Sequence, residues 1–156
     1  MTTKAVVNKN IRRKRMSSKL ALEAFIDEWT ETEARNKKAF LEFKDFLSGQ
    51  EGVALDFVPR EGVTYSLRAA YCDQQDRPLF VMVDVIEDQP RWLSVCFYGE
   101  MVTDPEEKGD FVPEGLLGED AVCFDVEAYD GAFQDYIKQR MGEALEHAAG
   151  SPETSP

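Results

Sequence analysis

The sequence predicts an α+β fold, an antiparallel sheet of four or five strands packed with a long N-terminal and a shorter C-terminal helix. Three observations carry this expectation. Apolar residues recur at helical spacing between residues 17 and 49 and again after residue 130. Between those stretches they alternate with period two. Three neighbouring alternating runs are joined by loops shorter than the dozen residues a parallel crossover needs, which makes them antiparallel. The two layers leave one choice open: both helices on one face of the sheet, or one on each.

The chain of 156 residues fits one domain, expected over 17–149, between a disordered basic arm (1–16) and a disordered tail (150–156). Residues 1–16 show no apolar periodicity. A helix is expected from Ser17 or Ser18, either of which can cap it. Leu22, Phe25, Ile26 and Trp29 form its stripe. Phe40, Phe43, Phe46 and Leu47 continue it, as one long helix or two collinear ones ending before Gly49, with Glu31–Lys38 as a solvated face between the halves.

From residue 53 the period changes. Strands are expected over Val53–Val58, Val63–Cys72, Leu79–Ile86, Trp92–Tyr98 and Ala121–Glu127, separated by turn-forming residues such as Pro59–Gly62. The acidic segment Gly99–Asp120 reads as a solvated excursion over the sheet edge, pinned by Phe111, Val112, Leu116 and Leu117. Asp130 caps a closing helix whose Phe133, Tyr136, Ile137, Met141, Ala144 and Leu145 share a face.

Alternation sorts the strand residues into two faces. One holds Val63, Tyr65, Leu67 and Ala69, then Val81, Val83 and Val85, then Leu93, Val95 and Phe97, then Val122, Phe124 and Val126, and is the expected core. The other mixes Arg68, Asp84, Ser66, Ser94, Cys96, Cys123 and Asp125 with Phe80, Met82, Trp92 and Tyr98. A helix could cover this mixed face, with Arg68 and Asp84 paired at its edge. Alternatively Phe80, Met82, Trp92 and Tyr98 form a surface for self-association or a protein partner, since such side chains concentrate where proteins meet. Arg68 and Asp84 would otherwise be the polar anchors of a small-molecule or cation site.

Charge narrows the partners. The net charge is −12, but residues 1–19 hold seven basic side chains and no acid, so the remainder carries 11 basic against 30 acidic residues, or −19. Such a body repels nucleic acid and anionic membranes, leaving nucleic acid to the basic run 9–15 alone. A start at Met16 would remove six of the seven basic residues. The only histidine, His147, sits at the C-terminal end of the last helix, where the helix dipole suits it. With no second histidine and no nucleotide motif, no enzymatic apparatus and no cofactor are implied.

No metal is implied either. Asp104, Glu106 and Asp110 come nearest to a ligand set, with Gly109 at the turn position of a calcium loop, but Lys108 and Gly115 occupy ligand positions. Cys72, Cys96 and Cys123 lack metal spacing and read as free, buried thiols of a reducing cytoplasm. The expected function is a non-catalytic interaction module, with small-molecule or cation binding through Arg68 and Asp84 or the acidic loop 100–120 as the alternative.

Overall fold

The computed structural model describes the backbone of residues 3–150 and the side chains from residue 13 onward. The fold is α+β, and the antiparallel sheet is present with six strands. In chain order the elements are α1 (Thr3–Glu28), α2 (Asn36–Ser48), β1 (Val53–Arg60), β2 (Thr64–Tyr71), β3 (Val81–Ile86), β4 (Trp92–Tyr98), β5 (Asp110–Leu116), β6 (Glu119–Val126) and α3 (Gly131–Ala148). The sheet order is β1-β2-β3-β4-β6-β5, so the first four strands form a meander and β6 inserts between β4 and β5. No helix among the described residues is long and apolar enough to cross a membrane.

α1 begins at Thr3, not at Ser17 or Ser18, and runs through the basic stretch. Its first half contains no Gly or Pro and several good helix formers, so backbone propensity extends the helix where no apolar stripe marks it. Ser18 is an anchor instead of a cap. Its Oγ accepts from the Phe57 amide at 2.6 Å and donates to Asp56 at 3.2 Å, fastening α1 to strand β1.

The two N-terminal helices are separate. Arg35 adopts a left-handed conformation (φ 62°) just before α2. The Glu31 carboxylate accepts from the Lys37 and Lys38 amides at 3.1 and 2.9 Å, satisfying donors that the first helical turn leaves free. Asn36, which the sequence places on a solvated face, is buried. Its Nδ2 donates to the carbonyls of Arg91 (2.8 Å) and Glu127 (3.0 Å), tying the start of α2 to two strand ends. At the other end Asp130 caps α3, accepting from the Ala132 and Phe133 amides at 2.9 and 3.2 Å.

The core face has the composition that alternation assigns. Leu67, Ala69, Val81, Val83, Val85, Leu93, Val95, Phe97 and Phe124 are fully buried there. Val63 is exposed in the β1–β2 turn, and Val122 is only partly buried. All three helices among the described residues pack on this one face. From α1, Phe25 stacks on Tyr65 at 4.4 Å and meets Phe40 of α2 edge-on at 6.1 Å. From α3, Phe133 and Tyr136 meet Phe124 at 6.3 and 6.0 Å. Glu42 and Lys138 (3.2 Å) join α2 to α3.

Strand β5 corrects the reading of residues 99–120 as a solvated excursion. It pairs with β6 through Asp110↔Cys123, Phe111↔Val122 and Val112↔Ala121, then bulges before Leu116↔Glu119. Gly115 makes that bulge feasible, because a Cβ there would lie 2.5 Å from Val112 Cγ1. Gly109 also has a packing reason: its Cβ would meet Val122 and Phe124 at 2.8–2.9 Å.

Candidate interaction surface

The mixed face is built in registered rows. One row runs Val58–Ser66–Asp84–Ser94–Asp125 across β1, β2, β3, β4 and β6. The next runs Asp56–Arg68–Met82–Cys96–Cys123 and ends at Asp110 on β5. Arg68 and Asp84 are therefore diagonal neighbours, as alternation requires, but they form no ion pair. Arg68 Nε instead donates to Ser66 Oγ at 3.3 Å. Burial pushes the Asp84 carboxyl up, against the Ser66 hydroxyl and the charges of Arg68 and Arg60, and its Oδ1 has no hydrogen-bond partner. Asp125 is raised by burial and by the neighbouring charge of Asp110.

The four side chains expected to form a contact surface are not one exposed patch. Phe80 is fully buried, Met82 nearly so, and Tyr98 lies beneath the guanidinium of Arg77, 4.5 Å above its ring. Arg77 is held there by Glu119 at 2.7 Å and by a close ion pair with Glu100, a clasp made from a loop 21 positions away in sequence. Only Trp92 is half-exposed, its Nε1 donating to Asp88 at 3.2 Å.

The acidic loop has internal employment. Asp104 accepts from the Lys108 amide (3.0 Å), the Gly109 amide (2.9 Å) and, in a short bond, the Tyr136 hydroxyl. Burial alone would raise its carboxyl, but these donors outweigh burial and hold it below the ordinary range. Glu106 reaches only towards Lys108, at 3.9 Å, and Asp110 starts β5. Among the described residues no three His, Cys, Asp or Glu side chains are grouped to hold a metal ion.

A second cationic centre, Arg91, lies over the rings of Phe25, Tyr65 and Trp29 at 4.9–5.5 Å. It pairs with Glu87 (2.9 Å) and Glu28 (3.0 Å) and borders a groove of about 680 Å³ beside Trp29, Thr32 and Pro90. With both carboxylates engaged, Arg91 reads as the rivet between α1 and the β3–β4 turn.

The two sheet edges differ. β1 is fastened by Ser18 of α1. On the other side, Cys96 and Cys123 lie directly opposite with Cα atoms 4.2 Å apart, the spacing of a narrow, non-hydrogen-bonded pair. The backbone groups of Cys123 therefore face β5, and those of Phe111 face outward. Pro113, two residues on, has no amide, and the Glu114 amide donates to Asp120 at 3.1 Å. With Pro113 lacking an amide and the Glu114 amide engaged by Asp120, the outer edge of β5 is a poor template for strand addition.

The side chains of this edge are what stands out. Leu116 is buried, but Phe111 (64% exposed), Val112 and Leu117 are not, contrary to their expected pinning role. Asp110, Glu114, Glu119 and Asp120 frame them, all exposed. Strand periodicity could not reveal this patch, since β5 is exposed on five consecutive residues and alternates nowhere among them.

The thiols also depart from expectation. Cys96 and Cys123 are buried but joined as a disulfide, while Cys72 is free and exposed. Pairing follows from strand register, which sequence spacing does not show. Compared with known proteins, the chain matches no family model, no curated protein and no solved structure.

Proposed function

We propose that this chain is a non-catalytic interaction module that self-associates, the basic half of α1 in one copy lying against the β5 edge of another. The observation that supports this reading is where exposed apolar side chains fall. Of the six large ones exposed among the described residues, Met16 and Leu20 lie one helical turn apart on α1, Phe111 and Val112 lie on β5, and Leu117 lies in the turn that follows it. The first pair sits among Arg13, Lys14, Arg15 and Lys19, the second group among acids. The surfaces are complementary in both charge and apolar centre, as interfaces are. The scarcity of free backbone amides on β5 favours a helix over an added strand as the occupant.

The test is light scattering in the micromolar range. A dimer is expected that dissociates in about 1 M salt, where the Debye length falls to about 3 Å. Phe111→Asp and Met16→Glu should each yield a folded monomer, whereas Trp92→Asp should leave the dimer intact. Wild-type protein that stays monomeric at high concentration overturns the reading. A dimer lost only in Trp92→Asp moves the contact to the mixed face.

A second reading, a small cationic ligand on the mixed face, is favoured by the unpartnered Oδ1 of Asp84. A groove of about 440 Å³ lined by Lys14, Asp56, Arg68, Leu79 and Leu117 borders the same strands. Calorimetry with small amines and guanidinium compounds, on wild type and Asp84→Asn, decides it; no heat on wild type removes it.

A further inference from the structure

We propose that Cys96 and Cys123 are a reversible dithiol–disulfide couple that works within the folded protein. The pair is made by the sheet and not by the bond. Cys96 and Cys123 are direct partners on the adjacent strands β4 and β6. Flanking pairs Val95↔Phe124 and Phe97↔Val122 fix the register on the core face, where Val95, Phe97 and Phe124 are fully buried and Val122 partly so. The Cα separation of 4.2 Å is that of an ordinary narrow antiparallel pair, so the ladder keeps the sulfurs adjacent whether or not they are bonded. Reduction therefore asks for no strand rearrangement, and reoxidation finds its partner already in place.

The pair lies buried on the mixed face, between Met82 on one side and Asp110 on the other. Ser94 Oγ stands 3.6 Å from the Cys96 sulfur. Cys72 sits at the far end of β2, bonded through its amide to Gly52, and is not part of the pair.

The oxidant is a low-molecular-weight disulfide. One protein thiolate attacks it, forming a mixed disulfide and expelling one small thiolate. The second protein sulfur then displaces the remaining small thiol. Two protein thiols lose two electrons and two protons, and one small disulfide gains them as two thiols. The bond would close a loop of 27 positions that contains β5, joining the two strands from which the β5 edge is hung.

The experiment uses the full chain carrying Cys72→Ser, equilibrated without denaturant in buffers of reduced and oxidised glutathione. It is then quenched, unfolded and labelled with a thiol-specific mass tag. Two tags are expected under reducing conditions and none under oxidising conditions, with few singly labelled molecules, identical far-ultraviolet circular dichroism, and recovery of both tags when the buffer is reversed. Cys96→Ser and, separately, Cys123→Ser should each carry one tag in reducing buffer and, in oxidising buffer, either one tag or one glutathione adduct, told apart by mass; either folded variant suffices as control. Persistent labelling in oxidising buffer overturns the pairing. Disulfide-linked dimers in place of the intramolecular bond overturn it too. A bond reducible only after unfolding overturns the reversible role.

Discussion

Asp104→Asn separates a structural turn from a cation site. The carboxylate accepts three hydrogen bonds, two from the Lys108 and Gly109 amides and one from Tyr136 on α3. Asparagine keeps one acceptor oxygen and turns an NH₂ group towards at least one of those donors. A hydrogen bond to a charged group contributes about 1.5–3 kcal/mol, and the side chain is half-exposed, so the expected loss is about 1–2 kcal/mol. In a chain of this size that lowers the melting temperature by roughly 2–8 °C.

The pH dependence has a defined sign. The folded carboxyl is held below its ordinary value, so its contribution is complete above about pH 4 and is lost as pH falls through the lower folded value. The gap between wild type and variant should therefore close in acid. The assay is thermal unfolding followed by circular dichroism, repeated with calcium and with magnesium. A calcium-selective stabilisation of wild type, about 2.7 kcal/mol at 100 times the dissociation constant, would refute the structural assignment. So would a variant as stable as wild type at neutral pH.

Two further outcomes follow from packing and burial. Gly109→Ala should cost about 1–3 kcal/mol by overpacking against Val122 and Phe124, while Gly131→Ala, with open space around it, should be neutral or stabilising; chemical denaturation of both variants checks the contrast. Asp84 is raised by burial, so wild-type stability should decline as pH rises from the ordinary carboxyl value through the raised one. Asp84→Asn should flatten that decline and lie within about 1 kcal/mol of wild type at neutral pH, as read from melts across the pH range.

The sheet core was legible because burial on one face imposes period two on every strand that crosses the centre. Leu67, Val83, Val95 and Phe124 are one row of that pattern, and each is fully buried. Where that constraint lapses, the pattern does too. Strand β5 is an edge strand exposed on consecutive residues, so Pro113 and Gly115 read as loop although they shape a bulge. The first half of α1 carries no apolar stripe, because helix propensity suffices to form it. The break before α2 rests on Glu31 capping from outside the helix and on Arg35 at positive φ, which no spacing announces.

The candidate site was less legible, and for a different reason. Alternation states which side of the sheet a residue occupies and says nothing about what covers that side. Tyr98 is buried by Arg77 from the β2–β3 loop, and Arg77 is positioned by Glu119 on β6, so three separate elements must meet before Tyr98 leaves solvent. Exposure of Phe111 likewise depends on the strand order, which puts β5 outermost although β6 follows it in the chain. The same order sets Cys96 beside Cys123. Long-range topology thus decides which aromatic is buried, which is presented and which thiols can bond. The charge split needs no topology: seven of the 18 basic residues fall in the first 19 positions and all 30 acids after them, so the opposite signs of the two parts are read from composition alone.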